Sequence, residues 1–236
     1  MNKEEFVQEI KNLGVTLSDN QIKSLETYTF ELIKYNEHTN LTAIKEENDI
    51  YLKHFYDSLT LVKTINFNEV ENLLDIGTGA GFPGLVLKIA FPHLKVTLLD
   101  SNNKKTKFLE HMKDILKLND VTIINDRSEK YIENKREYYD IVTARAVKNL
   151  PVLNELCIPF VKVGGYFLAM KGQNNEEIEE SKYGINILNA TIEEIKEIKL
   201  PYENSNRTIV KIKKQGLTKN IYPRSYEKII KKPLKK

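Results

Sequence analysis

The chain has 236 residues, of which 41% are hydrophobic, and its 36 basic and 33 acidic side chains give a net charge of +3. This composition can build a folded core, no segment approaches the ~18–20 consecutive apolar residues of a membrane span, and the polar residues 1–5 do not resemble a signal peptide. The single cysteine, Cys157, excludes an internal disulfide, so we expect a cytoplasmic protein in which Cys157 is a core residue rather than a nucleophile.

The first 67 residues show only helical signals, and we expect them to form a helical cap on the domain that follows. Ser18 and Gln21 have the spacing of a capping box at the start of a long helix. A further helix is predicted from about residue 46 through residue 61. His54 lies in that helix, where a buried, hydrogen-bonded histidine is favoured over a metal or ligand contact.

A strand, a glycine-rich loop, a helix and a second strand follow one another between Asn72 and Asp100. The apolar run 72–76 enters the loop Gly-Thr-Gly-Ala-Gly-Phe-Pro-Gly at 77–84, and the second run ends on the acid Asp100. Glycines permit positive φ and a close approach of the backbone to a ligand, and the helix turns free N–H groups toward the loop. Because an acid at the end of the second strand can bind a ribose diol, this unit predicts a bound nucleoside cofactor.

Two cofactors compete for this unit. Gly79-x-Gly81-x-x-Gly84 satisfies the dinucleotide fingerprint literally. However, Gly77 stands directly after the strand, and a loop counted from Gly77 has the wrong third spacing for a pyrophosphate turn. Asp75, ahead of the loop, suits a cofactor with a cationic amino group. The pattern therefore favours S-adenosylmethionine over a dinucleotide, and a tight turn without any ligand remains the alternative.

Strands and helices alternate from Val70 onward, which predicts an α/β fold with a doubly wound, mostly parallel seven-stranded sheet. We expect strands at 72–76, 95–100, 121–125, 139–143, 164–170, 193–199 and 207–213, and helices at 84–91, 103–117, 127–134, 149–161 and 174–181. Residues 200–206 are too short a link for a parallel crossover, so one strand is expected to run in reverse at the end of the sheet. The predicted organisation is a cap at 1–67, a cofactor-binding core at 68–214 and a basic tail at 215–236.

Ligands bind beyond the carboxyl ends of the strands in an open α/β sheet, so the polar residues at these ends are candidates. Ser128 and Glu129 follow the third strand and are placed to read an adenine edge, although Ser128 or Asp126 could instead cap a helix. Arg145 ends the fourth strand, where we expect a pair with a cofactor carboxylate or an RNA phosphate; the alternative is a structural salt bridge. Lys171, after the fifth strand, is a weaker candidate of the same kind.

The charge of the chain is unevenly distributed. Residues 207–236 contain eleven Lys or Arg residues and one acid, a net charge of +10, whereas residues 1–206 carry a net charge of −7. RNA, DNA or an anionic membrane surface would each suit such a tail, and a solvated lysine run is the alternative. The four histidines share no metal-ligand spacing and no Ser/His/Asp arrangement is evident, so we expect neither a metal site nor a covalent nucleophile.

A series of motifs occurs in order along nearly the whole chain: Asn40-Leu41-Thr42, His54-x-x-Asp57-Ser58-Leu59, the loop from Asp75 to Gly84, Leu99-Asp100-Ser101, Asp126-Arg127-Ser128-Glu129, Thr143-Ala144-Arg145-Ala146-Val147, Lys171-Gly172, Tyr222-Pro223-Arg224 and Lys231-Lys232-Pro233-Leu234. In these motifs the chain resembles the RsmG (GidB) family of bacterial 16S rRNA guanine-N7 methyltransferases. It departs from the family at Ser128, where an alanine is commoner, and at 225–230, which is less glycine- and proline-like than usual.

The resemblance implies an enzyme that uses S-adenosylmethionine to methylate N7 of one guanine, conventionally numbered 527, in 16S rRNA or the small ribosomal subunit. Neither a membrane nor a metal is expected as a partner. By the resemblance, Gly77, Phe82, Ser128, Glu129 and Arg145 match the family's cofactor positions, and Gly79 of the loop and Asp100 at the strand end are also expected at the cofactor. Arg145 is also the residue expected to position the reactants, and Lys171, Arg224, Lys231 and Lys232 are expected to bind RNA phosphates.

Three other functions explain part of the sequence. A small-molecule methyltransferase would use the same cofactor half but would not need the basic tail. A non-catalytic ribosome-binding protein would explain the tail and leave the glycine loop as scaffold. A dinucleotide oxidoreductase would need a second catalytic region, and the sequence shows none.

Overall fold

A computed structural model of the chain describes residues 1–145, 148–172, 175–203 and 205–236. Ala146 and Val147, which belong to the motif around Arg145, lie outside the described residues, as does the predicted helix start at 174. The strands in the described part are β1 (Asn72–Ile76), β2 (Lys95–Asp100), β3 (Val121–Asn125), β4 (Tyr139–Arg145), β5 (Val161–Gly172), β6 (Ala190–Lys199) and β7 (Asn206–Lys214).

The helices are α1 (Lys3–Asn12), α2 (Asp19–Thr39), α3 (Glu47–Ile50), α4 (Asp57–Leu59), α5 (Gly84–Ala90), α6 (Asn103–Ile115), α7 (Ser128–Tyr131), α8 (Leu150–Cys157), α9 (Asn175–Ile187) and α10 (Tyr226–Lys231). A π-helical turn, Tyr51–Tyr56, joins α3 to α4, so this part of the cap is one nearly continuous helical segment. Short 3-10 turns complete the helical structure at Thr60–Lys63, Phe67–Glu69, Ile132–Asn134 and Ile158–Phe160.

The strands form one sheet in the order β3-β2-β1-β4-β5-β7-β6. All pairs from β3 to β5 are parallel, whereas β7 runs antiparallel to both β5 and β6. This confirms the predicted doubly wound, mostly parallel seven-stranded α/β fold. One strand is reversed, as expected, but this strand, β7, lies between β5 and β6 rather than at the end of the sheet.

The predicted helix at 149–161 is too long. Helix α8 ends at Cys157 and a 3-10 turn follows, because Pro159 has no N–H with which to continue the helix. Strand β5 therefore begins at Val161 and not at residue 164.

The cap shares its interior with one face of the sheet. Ser18 forms the predicted capping box at the start of α2, accepting a hydrogen bond from the Gln21 N–H while the Gln21 side chain accepts one from the Ser18 N–H. Tyr28 and Phe55 are fully buried in the same hydrophobic cluster as Leu98 of β2. Cap and sheet therefore bury their apolar surfaces together, and the division near residue 67 stays a prediction about sequence organisation.

Helices α8, α9 and α10 cover the other face of the sheet. Val142 and Val210 of the sheet cluster there with Leu153 of α8 and with Ile229 of α10, which is fully buried. The C-terminal segment, residues 215–236, is therefore docked on the core. Cys157 is also fully buried in this layer, as expected.

Among the described residues, no helix is long and apolar enough to cross a membrane, and no group of His, Cys, Asp and Glu side chains is placed to bind a metal ion.

Candidate active site

A cleft of about 790 Å³ opens at the carboxyl ends of the parallel strands, where the sequence predicts a ligand site. Its walls come from the loop between β1 and α5, the ends of β2, β4 and β5, the start of α7, the π-helical turn of the cap, and α10. The predicted residues that line it are Gly77, Gly79, Phe82, Asp100, Ser128, Glu129, Arg145 and Lys171. Their contacts with a ligand remain predictions.

Helix α2 of the cap fixes the shape of the glycine loop. The Tyr28 hydroxyl donates a hydrogen bond to the Ala80 carbonyl, and the Tyr28 ring stacks on Phe82 with 5.4 Å between ring centroids. Gly81 has a φ of 107°, and a Cβ at this position would lie 2.5 Å from the Tyr28 hydroxyl. The loop therefore requires glycine here. The role of Tyr28 could not be predicted, because its helical spacing is that of a core residue.

Asp75 supports the loop from behind and does not line the cleft. Its Oδ2 accepts hydrogen bonds from the Thr78 hydroxyl at 2.7 Å and from the Gly84 N–H at 2.8 Å. The carboxyl is fully buried, and burial raises its pKa to about 6. The expectation that Asp75 faces a cationic amino group is therefore corrected: this carboxyl joins the loop to the start of α5.

Asp100 faces the cleft from the end of β2. Its Oδ2 accepts a hydrogen bond from the Gly79 N–H at 2.9 Å, and its Oδ1 accepts one from the Asn102 N–H at 2.8 Å. Each carboxylate oxygen has a second lone pair, so Asp100 retains acceptor capacity toward the cleft. This arrangement fits the predicted contact with a ribose diol.

The residues before α7 do not act as its side-chain caps. Arg127 occupies the N-cap position without a side-chain hydrogen bond to the helix, and Asp126 Oδ1 accepts from the Arg127 N–H at 2.7 Å. Ser128 is buried in the first turn of α7, and Glu129 beside it has a side chain that is 11% exposed. The helix-cap alternative therefore does not account for Ser128 or Asp126, and both line the cleft.

Arg145 is held by the cap at the centre of the cleft. Its Nη1 donates hydrogen bonds to the Lys53 carbonyl at 2.7 Å and to Asp57 Oδ2 at 3.1 Å, and its Nη2 donates to His54 Nδ1 at 2.9 Å. The three partners lie on the π-helical turn and the first residue after it, and π-helical turns are frequent at functional sites. Arg145 thus forms the structural ion pair that was the alternative, while still lining the cleft.

The hydrogen bonds of His54 fix its protonation state. An arginine can only donate, so Nδ1 must be the acceptor and Nε2 must carry the proton, which it donates to the Thr42 hydroxyl at 2.9 Å. The His54 ring stacks on Phe82 with 4.1 Å between centroids and is 6% exposed. Burial and the neighbouring Arg145 charge lower the His54 pKa to about 3. The expectation of a buried, hydrogen-bonded histidine is confirmed.

This lowered pKa predicts a loss of stability in mild acid. Between pH 6.5 and pH 3 the unfolded chain binds a proton at His54 that the folded chain does not bind, so stability falls as the pH falls. At pH 5 this proton uptake lowers the free energy of unfolding by about 2 kcal/mol. The free energy of unfolding in urea should therefore fall more between pH 7 and pH 5 in the wild type than in His54→Asn, which keeps an acceptor for Arg145.

The control for this measurement is His38→Asn, which changes an exposed ring on α2 and should retain the wild-type pH dependence. Equal falls for the wild type and His54→Asn would show that His54 is not the group that takes up the proton.

The other half of the cleft is basic. Arg207, at the start of β7, has its Nε 3.4 Å from Asp57 Oδ1, so one buried carboxylate holds two guanidinium groups. Lys171 Nζ donates to the Lys148 carbonyl at 2.6 Å and lies 2.8 Å from Glu177. Arg207 and Lys148 both line the cleft, and neither was predicted from the sequence. No local sequence pattern predicts these positions. Arg207 reaches the cleft because β7 pairs with β5 in the sheet.

Three predicted RNA contacts lie in the C-terminal segment and do not line the cleft. Arg224 donates from Nε and Nη2 to the two carboxylate oxygens of Glu155 at 2.9 and 2.6 Å, and Glu155 is fully buried. Arg224 therefore docks the segment on α8. Lys231 and Lys232 are exposed at the end of α10. Phosphate binding by these three residues stays a prediction.

Comparison with known proteins gives a consistent result. A family model described as GidB, rRNA small subunit methyltransferase G, matches residues 21–210. The chain is 48% identical over 196 residues to the ribosomal RNA small subunit methyltransferase G of Bacillus thuringiensis (strain Al Hakam), covering 82% of each protein. The protein of that name from Bacillus anthracis (strain A0248) gives the same identity and coverage.

Solved structures share the fold at low sequence identity. The M. jannaschii TYW2 structure in complex with AdoMet has a TM-score of 0.52 and 17% identity, over 62% of this chain and 70% of that one. The StiE O-MT structure, residues 961–1257, has a TM-score of 0.54 and 12% identity, over 70% of this chain and 75% of that one.

Proposed function

Because the chain belongs to the GidB family of rRNA small subunit methyltransferases, we propose that it transfers a methyl group from S-adenosylmethionine to N7 of one guanine in 16S rRNA. The guanine is the one numbered 527 in the decoding-region loop, as the resemblance to the family implies. An rRNA substrate also implies a cytoplasmic protein.

The division of the cleft into two chemically different halves carries this proposal. One half contains the glycine loop, Asp100 and Ser128, which suit a nucleoside. The other half contains Arg207, Lys148 and Lys171, which suit phosphates. Arg145, Phe82 and His54 stand where the two halves meet.

The glycine loop has the space that the cofactor needs, and the residues beside it supply polar groups. A Cβ at Gly79 would meet no atom nearer than Lys105 Nζ at 3.9 Å, so a ligand can approach the backbone there. Asp100 keeps lone pairs for the ribose, and the start of α7 offers polar groups for the adenine edge. When bound, S-adenosylmethionine supplies an electrophilic methyl group on a sulfonium centre.

The side chains at the junction suit a reaction without a general base. Guanine N7 has an unprotonated lone pair in the plane of the ring, so nothing has to be removed from it before methylation. His54 is engaged at both nitrogens, and both carboxylate oxygens of Asp57 lie beside guanidinium groups. The protein therefore acts by orientation, which can supply up to ~7–11 kcal/mol of the barrier.

The basic half of the cleft can help to hold the target guanine outside its stack. A guanine must leave its stack to reach the cofactor, which costs a few kcal/mol. Lys148, Lys171 and Arg207 can offset that cost by binding the phosphates on either side of the target, and such binding weakens steeply with salt. Arg145 between the two halves fixes the base relative to the methyl group.

The test is transfer of labelled methyl from S-adenosylmethionine to transcribed 16S rRNA and to small subunits from cells that lack this protein, followed by mapping of 7-methylguanine. We expect a single modified guanine in the decoding-region loop. Cofactor binding without transfer to either substrate would move the substrate elsewhere, and transfer to small acceptors would favour a small-molecule methyltransferase. Failure to bind S-adenosylhomocysteine would favour a non-catalytic ribosome-binding protein.

A further inference from the structure

The C-terminal segment reaches into the cleft at its nucleoside half. Tyr226, the first residue of α10, lines the cleft together with Ser128 and Glu129. Its side chain is half-buried, and it packs on the edge of the hydrophobic cluster beneath α8 and α9. A residue close to the C-terminus therefore forms part of the wall where the adenine ring is expected.

The position of Tyr226 is fixed on both sides along the chain. Before it, the Arg224 guanidinium binds both oxygens of the fully buried Glu155, and the Arg224 N–H donates to Glu155 Oε1 at 2.8 Å. Arg136 Nη2 also donates to the Tyr222 carbonyl at 2.6 Å. After it, Ile229 is fully buried. Tyr226 is thus presented to the cleft by an anchored backbone.

Arg127 packs against Tyr226 at this wall of the cleft. The Arg127 guanidinium lies over the Tyr226 ring, 4.8 Å from its centroid. Arg127 itself lines the cleft and directly precedes Ser128. Aromatic rings and guanidinium planes are the groups on which nucleobases stack.

We propose that Tyr226 and Arg127 form the wall against which the adenine ring of the methyl donor lies, so that the C-terminal segment is part of the cofactor site. This inference rests on the proposed function. It also follows that cofactor binding and docking of the segment favour each other, because a ligand that contacts the docked segment stabilises the docked state. Stacking of one base on an aromatic ring corresponds to about a tenfold change in affinity.

The test is calorimetric titration of S-adenosylhomocysteine and of adenosine into the full chain. Tyr226→Ala should weaken both ligands by about tenfold, and by the same factor, since the wall contacts only the adenine that they share. Tyr226→Phe should bind both as the wild type does. The matched control is Tyr183→Ala, because Tyr183 is an exposed tyrosine on α9 with Lys236 Nζ 4.9 Å from its ring centroid, outside the cleft.

Unchanged affinity for both ligands in Tyr226→Ala would overturn the inference. So would unchanged cofactor affinity with weaker rRNA binding, because Tyr226 would then contact the substrate. A wild-type chain that binds neither ligand would overturn the proposed function itself, which separates that failure from the failure of the Tyr226 wall. The apo thermal transition of Tyr226→Ala should stay close to that of the wild type, since Arg224 and Ile229 still hold the segment.

Discussion

Replacing Arg145 with alanine should lower kcat/KM for methyl transfer to rRNA by about 100-fold or more while the protein remains folded. The cap fixes the guanidinium through the Lys53 carbonyl, His54 and Asp57, and the group lies 5.1 Å from the centre of the Phe82 ring. A residue held so firmly between the two halves of the cleft can set the distance between reactants, and a misplacement of about 1 Å costs about 100-fold in rate. The measurement is steady-state transfer of labelled methyl to small subunits.

Arg145→Lys should not restore the rate. One ammonium group cannot reach the Lys53 carbonyl, His54 Nδ1 and Asp57 Oδ2 in the geometry that a planar guanidinium provides. Lys95→Gln is the control for loss of a positive charge. Lys95 pairs with Glu71 at the amino-terminal end of β2, away from the cleft at the carboxyl ends of the strands. A wild-type rate in Arg145→Ala would remove Arg145 from the mechanism.

A double substitution separates chemistry from stability. Loss of Arg145 leaves Asp57 with Arg207 as its only neighbouring cation among the described residues, and breaking a buried pair costs about 3 kcal/mol or more. Asp57→Asn combined with Arg145→Gln removes both charges, so it should regain part of the stability that Arg145→Gln loses, without regaining activity. Activity that returned together with stability would show that Arg145 acts only on the fold.

The parts of the site that could be predicted are those that local sequence specifies. The glycine loop follows its strand directly, and Asp100 and Arg145 end their strands, so the rule for open α/β sheets places them at one edge. The partners of these residues could not be predicted. Asp57 lies 88 residues before Arg145, and nothing in helical periodicity indicates that a cap carboxylate will meet the end of β4.

The role of the positive charge over residues 207–236 also could not be predicted from the sequence alone. The sequence indicated a net charge of +10 over 207–236, but several of these cations are paired with acids of the core. The pairs are Arg224 with Glu155, Lys235 with Glu180, Lys214 with Glu137, and Lys211 and Lys213 with Glu193. Within the basic tail at 215–236, Arg224 and Lys235 therefore dock the C-terminal segment on the core, whereas Lys211, Lys213 and Lys214 belong to β7. The cations that line the basic half of the cleft come from the ends of β5 and β7 and from Lys148 after β4.

Gly84→Ala should weaken S-adenosylhomocysteine binding at least about tenfold and lower the free energy of unfolding by about 1–3 kcal/mol. A Cβ at Gly84 would lie 2.5 Å from Leu98 Cδ2 and 2.9 Å from Asp75 Cβ, so α5 must move away from β1 and β2. That movement would break the hydrogen bond from the Gly84 N–H to Asp75 Oδ2, which joins the loop to the helix. Urea unfolding and calorimetric titration measure the two effects.

The control for Gly84 is Gly216→Ala, where a new Cβ would meet only Asn189 Cβ at an ordinary 3.8 Å. Wild-type affinity in Gly84→Ala would show that the loop keeps its shape without close packing of α5.

The same geometry explains why the chain matches a dinucleotide fingerprint. Gly81 is required by Tyr28, and Gly84 is required by Asp75 and Leu98, so both glycines follow from the packing of the loop and helix rather than from a pyrophosphate.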